Sequence, residues 1–175
     1  MNAVASDQIM VRLLDPSSDR QMVEGLFEAA SDYVQLEGGD PSGAAHAQEF
    51  FDDWPDFFPP VTRLNLGLFA GDELAGIIES GGGWPLPDDA YLGLMLFAPA
   101  FRGRGLGRHF FVAYCDLMRE RAATRVVLGV LHNNPRARTF WMRLGFVVEK
   151  ANVETTNGRL VDRLVRPIED RRTGF

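Results

Sequence analysis

The sequence predicts an α/β fold, a mixed sheet with helices packed on its faces. Several stretches carry apolar residues at helical spacing, others are short, continuously apolar or β-branched, and the two kinds follow in the order β, α, α, β, β, β, α, β, α, β, β. A chain of 175 residues, 46 % hydrophobic and 24 % charged, has ordinary globular values and the length of one domain, here residues 1–175.

Residues 8–14 form a short apolar stretch ending at Asp15-Pro16, which reads as a strand running into a turn. After the capping candidates Ser17, Ser18 and Asp19, the positions Met22, Val23, Leu26, Phe27, Ala30, Tyr33 and Val34 keep a helical period. One helix ending near Gly38-Gly39 is expected, with Tyr33 near its end open to lining a pocket, although its helical phase favours burial. A second, shorter helix over 42–51 is stopped by the proline-rich WPDFFPP.

Residues 62–69 and 73–79 are two strands of a hairpin turned by Gly71-Asp72, and 90–97 is a third, nearly continuous apolar strand. Between the last two, SGGGWPLPDD reads as an exposed loop. Leu106, Phe110, Ala113, Tyr114, Leu117 and Met118 return to the helical period, and 126–131 is a buried strand. Asn134 then caps a helix with Pro135 in its first turn, Ala137, Phe140, Trp141 and Leu144 on one face, and Gly145 at its end. Within 146–165, Asn157-Gly158 between extended segments signals a type I′ hairpin.

The start of the chain lacks a basic segment followed by a short apolar run, and no stretch reaches the roughly 18 apolar residues of a membrane span. A cytoplasmic protein with no membrane partner is expected. Cys115 stands alone, so no internal disulfide forms, and His46, His109 and His132 lie too far apart for local metal-ligand spacing. No metal is expected. Charge is unevenly spread: residues 1–60 hold 12 acids against Arg12 and Arg20, net −10, while 61–175 hold 12 acids and 16 bases, net +4. An anionic ligand at one part and a cationic one at the other fits this asymmetry, as does a solvated acidic helix face.

The basic cluster is Arg102-Gly103-Arg104-Gly105-Leu106-Gly107-Arg108, set between a strand and a helix. Free N–H groups and the positive end of the helix dipole make that junction an anion site. Glycines let the backbone wrap an oxyanion closely, and arginines add charge and forked donors. Such local basicity suits a phosphate or pyrophosphate; a nucleic-acid backbone needs a long basic stripe, so no nucleic-acid partner is expected. The Gly-Lys-Ser/Thr of a Walker loop is missing, and a G-x-G-x-x-G fingerprint from Gly103 meets Arg108 at its third glycine.

This segment, Arg102-x-x-Gly105-x-Gly107, resembles the R/Q-x-x-G-x-G/A motif of the GNAT superfamily of N-acetyltransferases. Asn134-Pro-Arg-Ala137, Trp141 and Leu144-Gly145-Phe146 are similar to that family's second conserved segment, and together the matches cover 91–148. The first 60 residues match in element order alone, although DYVQLEGGDPSG looks like bacterial members with undefined substrates. The resemblance implies a GNAT fold, a mixed central sheet of about six to seven strands with about four helices and two central strands that splay apart. It implies acetyl-CoA as acyl donor, its pyrophosphate held by Arg102, Gly103, Arg104, Gly105, Leu106, Gly107 and Arg108, its pantetheine along Met95, Leu96 and Phe97, with Asn134 completing the site.

The implied reaction is transfer of acetyl to a primary amine of a small molecule or peptide by direct attack on the thioester. An alkylammonium, pKa about 10.4, must lose a proton first. The resemblance suggests a carboxylate on a central strand as base, and Glu79, at the end of the strand 73–79, is the candidate; Asp88 and Asp89 are loop-borne rivals. The family's usual tyrosine on the helix after Asn134 is Trp141 here, whose indole N–H donates a hydrogen bond but is no acid. Water, another group, or unassisted departure of a thiolate with pKa about 8.5 could serve the sulfur. A non-catalytic acyl-CoA-binding module, and O-acyl or longer-acyl transfer, are the alternatives. Buried packing is expected for Cys115 and local hydrogen bonding for His132. Acids such as Asp52, Asp53 and Asp56 would receive a cationic acceptor, and a homodimer is one arrangement the sequence allows.

Overall fold

Seven strands form one sheet in the order β1-β2-β3-β4-β5-β7-β6. They are β1 Ile9–Leu13, β2 Leu64–Ala70, β3 Glu73–Gly82, β4 Asp89–Phe97, β5 Arg125–Leu131, β6 Val147–Glu154 and β7 Leu160–Pro167. Five helices accompany them: α1 Arg20–Ala29, α2 Ser31–Glu37, α3 Gly43–Asp52, α4 Leu106–Glu120 and α5 Pro135–Arg143. The structure, a computed structural model, describes residues 8–39, 42–156 and 158–169.

All neighbouring strands are antiparallel except β4 and β5, which run parallel. The period-two alternation of the strands sends residues to two cores. Val23, Leu26, Phe27, Val34, Ala47 and Phe50 of α1–α3 pack with Ile77 and Leu96 on one face. Phe110, Phe111, Tyr114 and Met118 of α4 and Trp141 of α5 pack with Ile78, Leu92 and Val126 on the other. Each fully buried phenylalanine contributes roughly 1.5–3 kcal/mol of transfer free energy. Among the described residues no helix is long and apolar enough to cross a membrane.

The sequence pattern and the structure differ in four places. The single helix expected up to Gly38 is two, broken at Ala30 (φ −91°, ψ 36°). The apolar series passes through the break because Leu26, Ala30, Tyr33 and Val34 keep their spacing on both sides of it, so periodicity alone does not register the interruption. Among the described residues the α-helices accordingly number five, one more than expected.

Second, the loop expected from Ser80 begins later. Ser80, Gly81 and Gly82 pair with Leu92, Tyr91 and Ala90 as strand. A Cβ on Gly81 would lie 2.4 Å from Cδ1 of Phe58, so this glycine marks the seat of a buried ring. Third, the 155–159 connection is wider than a two-residue type I′ turn. The Thr155 N–H donates to the Arg159 carbonyl at 2.8 Å, the Gly158 N–H to the Thr155 carbonyl at 2.9 Å, and Gly158 has φ 76°, while Asn157 lies outside the described residues. Fourth, Asp89 is no loop residue. It opens β4 with its side chain buried against Arg125, Oδ1 to Nε 2.6 Å and Oδ2 to Nη2 2.9 Å.

Candidate functional site

The parallel ladder between β4 and β5 is short: Asp89, Ala90 and Tyr91 pair with Arg125, Val126 and Val127, and nothing pairs beyond. Past Tyr91 the two strands diverge. The cause lies on β4. Glu79 pairs with Leu94 and Ser80 with Leu92, which leaves Gly93 as an extra residue, a bulge. Leu92 therefore belongs to the α4–α5 core and Leu96 to the α1–α3 core, although unbroken alternation would put both on one face. Bulges bend and twist a strand, which here directs β4 away from β5.

A cavity of about 830 Å³ is lined by Met95, Leu96 and Phe97 of β4, by the loop into α4, and by α5. The start of α4 has no side-chain cap, so no side chain occupies its N-terminal amides, and Gly105 stands at the N-cap with φ 78°. Gly103 has φ 74°, and a Cβ on either glycine would meet nothing within 4 Å, so backbone conformation and not space demands glycine there. Gly107 differs: a Cβ would sit 3.1 Å from Cζ of Phe140, where α4 and α5 come close.

The expected residues of this region fall into separate groups. Gly103, Gly105, Leu106, Gly107, Arg108 and Asn134 line the cavity with Met95, Leu96 and Phe97. Asn134 also caps α5, its Oδ1 accepting the Ala137 N–H at 3.1 Å. Arg102 lines the cavity too, but its guanidinium is engaged: Nε donates to the Phe97 carbonyl at 2.9 Å and both Nη atoms reach Asp32 on α2. That bond also occupies a β4 carbonyl in the stretch expected to receive pantetheine. Arg104 lies outside the lining, stacked over Phe101 at 5.6 Å. Arg136, Thr139 and Arg143, which the sequence reading missed, line the cavity instead. Their i, i+3, i+7 spacing on α5 was the available signal.

A second cavity of about 320 Å³ lies against the α1–α3 side of β3 and β4, among Glu37, His46, Glu49, Phe50, Glu79 and Arg159. Glu79 points into it from the middle of β3, three positions from the strand's end at Gly82, because the strand continues past the expected boundary. The bulge makes room: a Cβ on Gly93 would lie 3.2 Å from Oε1 of Glu79. Burial, and then the nearby Glu49 carboxylate, push the Glu79 carboxyl up to about 7. Glu37 forms an ion pair with Arg159, and His46 Nδ1 lies 3.4 Å from Glu49 Oε2 with its ring stacked on Phe27.

Tyr33, whose helical phase favours burial but which the sequence leaves open to lining a pocket, lines both cavities. Burial above all, then the Glu37 carboxylate bonded to it, raise its phenol well above the usual tyrosine range.

Apart from Trp141, the other candidates stand away from both cavities. Trp141 reaches the edge of the larger one but packs among Phe111, Phe140 and Phe146 at 5.7, 4.9 and 5.3 Å. Cys115 is buried in α4, its thiol pushed up to about 11 by burial. His132 Nε2 lies 2.9 Å from Asp162 Oδ1, in a cluster with Arg138 that ties β5, α5 and β7 together. Asp88 lies outside both linings, and its carbonyl accepts the Thr124 N–H at 2.9 Å. Asp52 pairs with Arg20 at 3.1 Å on the surface, and Asp53 and Asp56 are exposed; none of the three lines either of these two cavities.

Residues 25–146 match the profile of the acetyltransferase (GNAT) family. No curated protein matches the chain in sequence. In fold it is similar to an acetyltransferase from Thermus thermophilus, 24 % identical, TM-score 0.74, covering 91 % of this chain and 97 % of that one. It is also similar to the spermidine N-acetyltransferase of Vibrio cholerae, in complex with CoA and spermine, at 20 % identity, TM-score 0.66, covering 91 % and 95 %. A third similar structure is the ribosomal-protein-S18-alanine N-acetyltransferase of Escherichia coli, at 20 % identity, TM-score 0.61, covering 96 % and 100 %.

Proposed function

The chain belongs to the acetyltransferase (GNAT) family, and from that premise we propose that it moves acetyl from acetyl-CoA to the amine of a small, positively charged molecule, with Glu79 as base. The observation that carries this reading is the pair of cavities, one basic and one acidic, on the two sides of the splayed strand β4.

Acetyl-CoA fits the larger cavity on three counts. Uncapped amides at the start of α4, with Gly103 and Gly105 in the left-handed region, form a concave N–H surface for a pyrophosphate. Arg108, Arg136 and Arg143 line the same space and supply positive charge. The edge of β4 that faces β5 is unpaired beyond Tyr91, leaving backbone groups at Met95 and Leu96 for the amide-bearing pantetheine arm. Bound there, acetyl-CoA supplies an activated acyl carbon and a thiol leaving group. Gly103, Gly105, Leu106, Gly107 and Arg108 hold its phosphates in this reading, and Asn134 fixes the helix that carries Arg136 and Arg143. Arg102 braces the loop against α2 and β4, and Arg104 acts from outside the lining.

The smaller cavity suits the acceptor. Its three carboxylates, Glu37, Glu49 and Glu79, face one arginine, so an incoming ammonium is attracted. A carboxyl near 7 is matched to taking a proton from an amine at neutral pH while remaining a competent base. The solved relatives include one that acts on spermidine and one that acts on an alanine of a ribosomal protein. The modest volume and the acidic lining favour a small cationic amine over a protein terminus. A panel of amines assayed with acetyl-CoA for thiol release above the hydrolysis blank tests the proposal. Turnover with small amines supports it, and turnover with none of them removes it.

A further inference from the structure

Acetyl transfer moves a proton as well as an acyl group: the amine loses one and the sulfur gains one. If the amine's proton goes to Glu79, some group must still supply the sulfur. That group has to stand where the acyl donor and the acceptor meet, and it must carry an ionisable proton. Among the described residues Tyr33 alone lines both the larger and the smaller cavity.

The rival donors are placed elsewhere. Trp141 borders the larger cavity, but an indole N–H is no acid, and its ring is locked among three phenylalanines. The chain has two further tyrosines. Tyr114 is fully buried beneath the sheet, its hydroxyl 2.6 Å from Ser80 Oγ; since Ser80 donates to the Tyr91 carbonyl at 2.9 Å, Tyr114 donates to Ser80. Tyr91 lies in the paired part of β4, ringed by Phe58 and Trp84, and lines neither cavity. His46 lines the acceptor cavity alone, and Cys115 and His132 line neither.

We propose that Tyr33 is the catalytic acid of the transfer, giving its phenolic proton to the departing sulfur. This assignment rests on the acetyl-transfer reading above. The nitrogen lone pair forms the N–C bond, and the electrons of the C–S bond leave on sulfur. Sulfur takes the Tyr33 proton. The phenol oxygen takes the proton that Glu79 drew from the amine, and Glu79 returns as a carboxylate. The ammonium's first proton has left to water before attack, so this cycle accounts for the second proton alone.

The surroundings of Tyr33 favour a step in which both protons move together. Burial and the carboxylates of Glu37 and Glu79 disfavour a phenolate, so the hydroxyl stays protonated at working pH and its proton is replaced as it leaves. Glu37, paired with Arg159, is hydrogen-bonded to the Tyr33 hydroxyl, and in the step the phenol turns its proton from that carboxylate to the sulfur. Tyr33 stands in the first turn of α2, just beyond the break at Ala30.

The test is Tyr33→Phe, which keeps the ring and its packing. Acetyl transfer from acetyl-CoA is measured with an amine the wild type accepts, CoA affinity by calorimetry, and folding by thermal melting. A parallel series uses phenyl thioacetate, whose thiophenolate departs without a proton. The expected result is a fall in kcat of about 100-fold with acetyl-CoA, with Kd for CoA and KM for the amine unchanged. Transfer from phenyl thioacetate stays within about twofold of wild type. A kcat within about threefold of wild type with acetyl-CoA overturns the assignment, as does an equal loss with both donors. A wild type that acetylates no amine from either donor overturns the acetyl-transfer reading itself, and this one with it.

Discussion

Asp32 and Arg102 face each other at the edge of the larger cavity, Oδ2 to Nη1 2.5 Å and Oδ1 to Nη2 3.1 Å. The first arginine of the basic cluster is thus already neutralised, and a carboxylate stands beside the proposed pyrophosphate site. Asp32→Asn should strengthen CoA binding by about twofold to fivefold, the scale of an exposed ion pair of about 0.5–1 kcal/mol. Calorimetric titration with CoA at low and high salt checks it, and the gain should shrink with salt.

Gly105 holds the N-cap of α4 at φ 78°. Gly105→Ala meets no steric obstacle, so the cost is conformational, about 1–2 kcal/mol of stability, read by urea unfolding. Gly105→Glu adds a negative charge at the proposed phosphate site and should abolish CoA binding in a chain that still melts cooperatively.

Glu79 should govern the pH dependence of both rate and stability. As base it must be ionised, so kcat/KM should rise with pH through a midpoint near 7, and Glu79→Gln should lose that limb with about 10²–10⁴ of the rate. The groups facing it across the cavity are Glu37, Glu49, His46, Tyr33 and Arg159.

The same carboxyl binds a proton more tightly folded than unfolded. Stability is therefore highest below pH 4.5 as far as this group is concerned and falls as pH rises from 4.5 to about 7. Glu79→Gln removes the loss: above pH 7 it should exceed wild type by on the order of 2–3 kcal/mol, an advantage that fades toward pH 4.5, in denaturant titrations at several pH values.

Glu49 stands at the acceptor cavity, and Asp52, Asp53 and Asp56 do not. Glu49→Gln should raise KM for amines about threefold to fivefold, leave that for acetyl-CoA unchanged, and move the acid limb of the rate profile to lower pH, since its charge helps hold Glu79 up. Neutralising Asp52, Asp53 and Asp56 should change neither constant.

Arg125 covers the buried Asp89 carboxylate at the root of the splay, with Glu149 also bonded to the arginine at 2.8 Å. Arg125→Ala strands that carboxylate and should cost about 3 kcal/mol in urea unfolding. The three-residue β4–β5 ladder loosens with it, so kcat should fall as well.

The strands, the α4 cradle and the capped α5 were legible because their signals are local: alternation, left-handed glycines, an Asn followed by Pro. The helix break at Ala30 escaped because hydrophobic spacing runs on through it. Ser80–Gly82 read as loop because glycine reports flexibility and close packing alike, and the ring that packs there comes from Phe58. The position of Glu79 beside a cavity follows from its place on a central strand. For Tyr33 the sequence leaves pocket lining and burial both open, since a residue between two cavities has the same period as one that is only buried. Arg102 was assigned to phosphate by its charge, and its partner Asp32 is 70 residues away in sequence.

The extra residue at Gly93 makes strand length a matter of parity. Deleting that one position would leave β4 nearly as long and as apolar, yet it would hand Leu94 and Leu96 to the wrong side of the sheet and turn Met95 toward the acids. A longer insertion in an exposed connection would disturb the molecule less. The odd count along β4 allows one strand to serve two hydrophobic interiors and to part from its neighbour between them.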